Sequence, residues 1–250
     1  MAEPTFVFLD FDDTLSDFEE HGRQYVAELA LLLAQEHGGT ETEWSDAIRP
    51  ALQESLHRYV ERFAGNPLAG YAAWLEEERA RAAASIFQRM GRPLPEGEPL
   101  ADYARRVQFD ALTACNAAFP GACEGLRQLF EDGVRTQIAS SQDSEYLYAA
   151  LLGTGSESYT ENKFGPDLVD CAKEGPEFYA RIFHACRIHP SQAIVVDDQA
   201  MCLDWAEEAG ARVAQARMEP GSPPAEFPVV LTSLFDLPAL VRRLSGREGA

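Results

Sequence analysis

The sequence predicts an α/β protein in which a parallel sheet carries helices on both faces and an α-helical cap is inserted after the first strand. Three features support this fold. Short apolar runs, Phe6-Val7-Phe8-Leu9 and Ala193-Ile194-Val195-Val196, read as buried strands and stop abruptly at aspartates. From Pro120-Gly121 onward, strand-like and helix-like segments alternate, as parallel βα units require. Between these parts, residues 16–118 carry helical patterning almost throughout. Residues 1–15 and 119–250 are therefore assigned to the sheet core and 16–118 to the cap.

Taken in order, Phe6 to Leu9 forms the first strand. Ser16-Asp17-Phe18-Glu19 then reads as a capping box that starts a helix reaching about His37, which Gly38-Gly39 ends. Further helices are expected over roughly 43–64, 70–90 and 100–118, separated by Gly65-Asn66-Pro67 and the Pro/Gly-rich stretch 91–99. Pro50 is expected near a helix start or at a kink. In the second half, a helix over 122–132 leads through Asp132-Gly133 to a strand over 134–139, and a helix over 143–152 follows. A short strand near 156–160 and a helix from Pro176 to Cys186 precede the strand at 193–196. Helix 200–209, strand 211–216, a strand at 228–231 and a helix at 233–245 complete the set, with Gly221-Ser222-Pro223-Pro224 as a loop and the last few residues fraying.

With 46% apolar and 25% charged residues, the composition is that of an ordinary globular protein, and no apolar run reaches the roughly 18–20 residues that span a bilayer. Met1-Ala2-Glu3-Pro4 lacks a basic signal-peptide start, so a cytoplasmic location is expected. A net charge of −20 disfavours nucleic acid and anionic membranes as partners. It would also repel a phosphorylated ligand, but screening over about 8 Å leaves local cations in control. Cys115, Cys123, Cys171, Cys186 and Cys202 form no C-x-x-C pair, and the five histidines suggest no zinc site; His21 and His57 read as surface or core. Of 21 basic residues only Lys163 and Lys173 are lysines, which marks both positions, although Lys163 reads as solvent-facing.

Open parallel sheets bind ligands beyond the carboxyl ends of their strands. Here the first strand ends in Asp10 and Asp12, the next in Ser140-Ser141, and a later one in Asp197-Asp198, while Lys173 precedes a Pro-Glu-Phe-Tyr helix start. Two carboxylates as close as Asp10 and Asp12 need a shared cation or a retained proton. Each motif alone has a bland reading: Asp-x-Asp as a turn, Ser140 as a turn residue, Lys173 as a surface lysine, Asp197-Asp198 as a helix cap. Four such motifs in order at strand ends are hard to explain as independent accidents.

The series Asp10-Phe11-Asp12-Asp13-Thr14-Leu15, Ser140, Lys173-Glu174-Gly175-Pro176-Glu177-Phe178-Tyr179 and Val195-Val196-Asp197-Asp198 resembles the haloacid dehalogenase-like hydrolase superfamily, in order and over nearly the whole chain. That resemblance implies a Rossmann-like core with a cap. It also implies that Asp10 is the nucleophile forming an aspartyl-phosphate, and that Asp12 is the acid and then the base. Ser140, with a neighbouring backbone N–H from Ser141, would hold phosphate, and Lys173 would neutralise charge on phosphate and on Asp10. Mg²⁺ would bind the Asp10 carboxylate, the Asp12 carbonyl and Asp197. Thr14 is assigned to bracing the loop. The adjacent acids Asp197-Asp198 replace the commoner Gly-Asp with a later acid. Asp198 could therefore touch the metal directly, touch it through water, or only orient a neighbour. Cys202 stands where the later acid would be, and Asp204 lies too far along.

Carbon–halogen hydrolases of this superfamily characteristically lack the second carboxylate, so Asp12 favours phosphoryl transfer. Phosphonate-cleaving members use a cap lysine, and residues 16–119 contain none. The expected activity is Mg²⁺-dependent hydrolysis of a small phosphorylated metabolite. A phosphomutase, or a non-catalytic phosphate-binding or phospho-acceptor module, is the alternative. Arg23, Tyr25, Arg58, Tyr59, Arg62 and Trp74 could touch a leaving group, but each reads better as helix surface or core. The sequence leaves the ester and the oligomeric state open.

Overall fold

The computed structural model describes residues 6–68, 70–219 and 221–246; the Met1-Ala2-Glu3-Pro4 segment and residues 247–250 of the tail lie outside the described residues. The sheet is built from β1 (Phe6–Leu9), β2 (Arg135–Ala139), β3 (Lys163–Phe164), β4 (Ala193–Asp197), β5 (Arg212–Ala216) and β6 (Val230–Leu231). All neighbours run parallel in the order β3-β2-β1-β4-β5-β6. Strand β1 is central because its four side chains are apolar and all are buried. Alternation sends Val7 and Leu9 to one face and Phe6 and Phe8 to the other. The first face packs against α5 (Ala122–Glu131), α6 (Ser144–Thr154) and α10 (Leu237–Leu244) through Leu126, Leu129, Leu147, Leu151 and Leu237. The second packs against α8 (Pro176–Cys186) and α9 (Ala200–Glu208) through Phe178, Tyr179, Ile182, Phe183 and Leu203. Each such large side chain contributes at most about 1.5–3 kcal/mol, so both helical layers are needed to hold the sheet.

The helical insertion comprises α1 (Phe18–His37), α2 (Glu41–Phe63), α3 (Tyr71–Arg89) and α4 (Leu100–Thr113). Its core, in which Leu29, Leu33, Trp44, Ile48, Phe87, Tyr103, Val107 and Leu112 are buried together, continues into α6 through Ala149 and Tyr146. Thr40 starts α2 with a full capping box to Glu43, which stabilises the helix by about 1 kcal/mol. A smaller aromatic group, Tyr59, Phe63, Tyr71 and Trp74, packs on Ala172 of the sheet core.

Several local expectations shift. The first helix is capped by Asp17, which accepts from the Glu20 N–H at 2.8 Å, rather than by Ser16 with Glu19. Ser16 is already committed: it is buried, and its hydroxyl bonds the Ala117 carbonyl at 3.2 Å and lies 3.3 Å from His21 Nδ1. Pro50 lies inside α2, costing one helical donor in a helix otherwise anchored by Trp44, Ala47, Ile48 and Ala51. The segment 156–160 holds a 3₁₀ turn, Glu157–Tyr159, and the edge strand follows at Lys163–Phe164. Lys163 is largely shielded from solvent, bonding Glu157 Oε1 at 2.7 Å and the Thr160 carbonyl at 3.1 Å, so the lysine fastens that turn to β3. A one-turn helix, α7 (Pro166–Val169), was not anticipated, and the helix expected to reach residue 118 ends at Thr113. No helix among the described residues is long and apolar enough to cross a membrane.

Candidate active site

The register of the sheet assembles the site. Leu9 pairs with Ile138 of β2 and Val196 of β4, so the next residues on three adjacent strands, Asp10, Ala139 and Asp197, share one edge. The chain order reverses about β1, with β2 on one side and β4 on the other, and this is where open α/β sheets leave a crevice. Asp10 N–H still bonds the Val196 carbonyl at 2.9 Å, so Asp10 is held as firmly as a strand residue. The chain then turns tightly. Leu15 and Ser16 N–H both bond the Phe11 carbonyl, and Asp13 takes a left-handed conformation with φ 53°. The turn carries the chain away from the strand end just after Asp12, whose carboxylate is still near enough to Asp10 to interact with its charge.

Lys173 fills the centre. Its buried ammonium donates to Asp10 Oδ1 at 2.9 Å, Asp197 Oδ2 at 2.7 Å and the Ala139 carbonyl at 3.1 Å. Its three protons are thereby spent on the ends of β1, β4 and β2. Asp197 is further fixed by the Gln199 N–H on Oδ1 at 2.9 Å, with the Tyr179 hydroxyl 3.5 Å from Oδ2. Asp198 differs: its carbonyl accepts from Gln215 Nε2 at 3.0 Å, but its Oδ1 is buried without a partner among the described residues. Oxygens of Asp10, Asp197 and Asp198 lie within 4.8 Å of one another. An all-carboxylate cluster with one unsatisfied oxygen has the donor chemistry of a hard divalent cation such as Mg²⁺. The Asp12 side chain is not part of this cluster.

Electrostatics agree with the geometry. Burial, followed by the neighbouring Asp197 and Asp13, pushes Asp198 up to about 7. Burial likewise raises Asp10 well above the carboxylate range, although the Lys173 charge opposes it and Asp197 and Asp12 add to it. Burial raises Asp12 too, against the hydrogen bond from Gln142. For Lys173 burial works against the charge, but Asp10 and Asp197 outweigh it and keep the ammonium protonated. Three carboxylates against one ammonium leave the cluster short of positive charge, and a divalent cation would relieve that.

Ser140 is buried directly beyond β2. Its Oγ accepts from the Gln142 N–H at 3.3 Å, while Ser141 is exposed. Thr14 is fully buried with no partner for Oγ1, so a bracing hydrogen bond for it is absent among the described residues. Cys202 is buried in α9 and carries no charge at neutral pH, because burial holds its thiol above the usual range. Of the possible leaving-group residues, Arg23 pairs with Glu20, Tyr25 lies in the insertion core and Arg58 bonds the buried Glu78. Arg62 is exposed, and Tyr59 and Trp74 belong to the aromatic group over Ala172. His21 is buried between Phe11 and Tyr146, and burial lowers it to about 4, so it is neutral; His57 pairs with Glu61 on the surface.

Three contributors were not singled out from the sequence: the Ala139 carbonyl, Tyr179 and Gln142. Gln142 Nε2 donates to Asp12 Oδ2 at 2.9 Å, leaving Asp12 Oδ1 buried and unpartnered among the described residues. The available signal was position, since Gln142 shares the strand-end loop with Ser140; its residue type carries none.

Comparison with known proteins gives a consistent family. A family model described as haloacid dehalogenase-like hydrolase matches residues 5–210. Validoxylamine A 7'-phosphate phosphatase of Streptomyces hygroscopicus subsp. limoneus is 28% identical over 161 residues, covering 54% of this chain and 76% of that protein. The solved 2-haloacid dehalogenase of Pseudomonas syringae pv. Tomato DC3000 is similar in fold, with a TM-score of 0.66 and 17% identity over 96% of this chain and 99% of that one. The putative HAD-hydrolase YfnB of Bacillus subtilis, solved with bound magnesium, aligns with a TM-score of 0.60 and 16% identity over 96% and 99% of the two chains. The two structures, at these identities, speak to the fold alone. The family-model match extends over most of the chain, from before β1 to just beyond α9, and on that ground this chain belongs to the haloacid dehalogenase-like hydrolases.

Proposed function

We propose that this chain is a Mg²⁺-dependent phosphomonoester hydrolase acting on a small phosphorylated metabolite through an aspartyl-phosphate. The observation that carries this reading is Asp12: a second carboxylate beside Asp10, with one oxygen fixed and the other free. Carbon–halogen hydrolysis needs no proton for its halide leaving group, whereas an alkoxide leaving from phosphorus does. The relative named as a phosphatase supports the same chemistry.

Asp10 attacks phosphorus as the ester P–O bond breaks, and the Asp12 proton passes to the departing oxygen. Water then attacks the phosphoryl group and gives its proton to Asp12, and the Asp10 carboxylate is released. Lys173 holds Asp10 in place and offsets charge on the phosphoryl oxygens, and the Ser140 hydroxyl donates to one of them. Asp10, Asp198 and the Asp12 carbonyl would hold Mg²⁺, with Asp197 mainly fixing Lys173. Asp198 suits the direct role better than Asp197 because its Oδ1 is the oxygen without a partner. When bound, Mg²⁺ would supply positive charge to the phosphoryl oxygens. Residues 16–118 would act as the cap that excludes bulk water.

The test is phosphate release from a panel of phosphomonoesters, with Mg²⁺ and with chelator. Turnover is expected with the metal and is expected to stop on chelation; undiminished turnover in chelator would remove the metal from the account. Release that stops at one equivalent per chain would identify a phospho-acceptor instead. Asp12→Asn should slow alkyl esters by about 10²–10⁴-fold and activated aryl esters much less in the first turnover. Equal slowing of both classes would contradict the acid role.

A further inference from the structure

The hydrogen bond between Gln142 and Asp12 points to a further part of the machinery. Resting on the hydrolase reading above, we propose that Gln142 is the positioning residue of the acid–base carboxylate, deciding which Asp12 oxygen carries the proton. The amide N–H donates to Asp12 Oδ2 at 2.9 Å, so that oxygen is occupied as an acceptor. Oδ1 is buried with no partner among the described residues and is the oxygen left to hold a proton. Without this bond the carboxyl could turn about its Cβ–Cγ axis and present either oxygen. With it, the same oxygen is left free for the proton in both half-reactions. In the first, the Oδ1–H bond breaks and its proton goes to the ester oxygen leaving phosphorus. In the second, the same oxygen takes a proton from the attacking water.

Gln142 is itself preorganised. Its backbone N–H bonds Ser140 Oγ at 3.3 Å, tying the acid's orienting group to the residue proposed to bind phosphate. Gly165 lets the loop sit close to β3, since a Cβ there would lie 2.3 Å from the Gln142 carbonyl oxygen. Asp143, the next residue, caps α6 through the Glu145 and Tyr146 N–H groups. The same Oδ1 receives Arg79 Nη2 from α3 of the helical insertion at 3.0 Å, and Arg79 is almost fully shielded. The insertion therefore clamps the residue adjacent to Gln142, linking its seating to the orientation of Asp12.

The experiment compares wild type with Gln142→Leu and Gln142→Glu, each checked for an unchanged melting profile. Leucine keeps much of the bulk without a donor, and glutamate keeps the shape but replaces the donor with a second charge. For an alkyl phosphomonoester, kcat should fall roughly 10–100-fold in both variants while KM moves less than about threefold. For an activated aryl ester, whose leaving group needs no proton, the first turnover should stay near the wild-type rate. The later turnovers should slow, giving a burst of one equivalent of aryl alcohol per chain. Unchanged kcat on the alkyl ester in both variants would overturn the proposal, as would equal loss in the first turnover of both ester classes. A wild-type protein that releases no phosphate from any ester would instead remove the hydrolase reading, so the two failures are distinguishable.

Discussion

Asp10→Asn is expected to abolish turnover, by on the order of 10⁴-fold or more, while leaving the protein folded. An amide has no free electron pair of comparable nucleophilicity, so the covalent step is lost with the charge. The fold should tolerate the change for two reasons. The amide oxygen can still accept from the Lys173 ammonium, and Asp197 continues to neutralise it at 2.7 Å. Asp10 is also a carboxylate whose ionised form is disfavoured by burial, so removing its charge relieves crowding with Asp12 and Asp197. The melting temperature should therefore change little, corresponding to within about 1 kcal/mol. Circular dichroism melts beside a phosphate-release assay check both halves. A folded variant with full activity would contradict the nucleophile, and an unfolded one the electrostatic argument.

Lys173→Met should produce the largest loss of stability. The ammonium bonds the ends of three neighbouring strands, and its removal leaves Asp10, Asp197 and Asp198 facing one another with no cation. Removing one partner from a buried charge cluster costs roughly 3–5 kcal/mol, a large share of the roughly 5–15 kcal/mol that typically separates folded from unfolded chains. Added Mg²⁺ should recover part of that loss, because a cation bound by the carboxylates stabilises the folded state by mass action. Thermal melts of wild type and variant, each with Mg²⁺ and with chelator, read both effects. A variant melting with the wild type in chelator would show that Lys173 does not hold the strand ends together.

The parts of the fold legible in the sequence were those where one physical cause dominates. Phe6–Leu9 and Ala193–Val196 are apolar on both faces because helices cover both, and each run leads directly into an aspartate whose burial is tolerated beside the Lys173 ammonium. Lys173 could be found because a chain that otherwise uses arginine places a lysine where a compact ammonium must reach three acceptors. The same scarcity marked Lys163, yet its shielded place beside Glu157 depends on an edge strand only two residues long, which has no readable pattern. Ser16 looked like a cap because local spacing ignores the contact with Ala117, a hundred residues away in the chain. Gln142 was invisible for a similar reason: its bond to Asp12 spans 130 positions, and an amide in a turn carries no signal of its partner.

The most direct measurement offers the purified protein a phosphomonoester with Mg²⁺ and, in parallel, a 2-haloacid, following phosphate and halide release in wild type and Asp10→Asn. The account predicts repeated phosphate release by the wild type, none by the variant, and no halide from either. Halide release without phosphate release would contradict it, showing that Asp10 attacks carbon and that Asp12 is not a leaving-group acid.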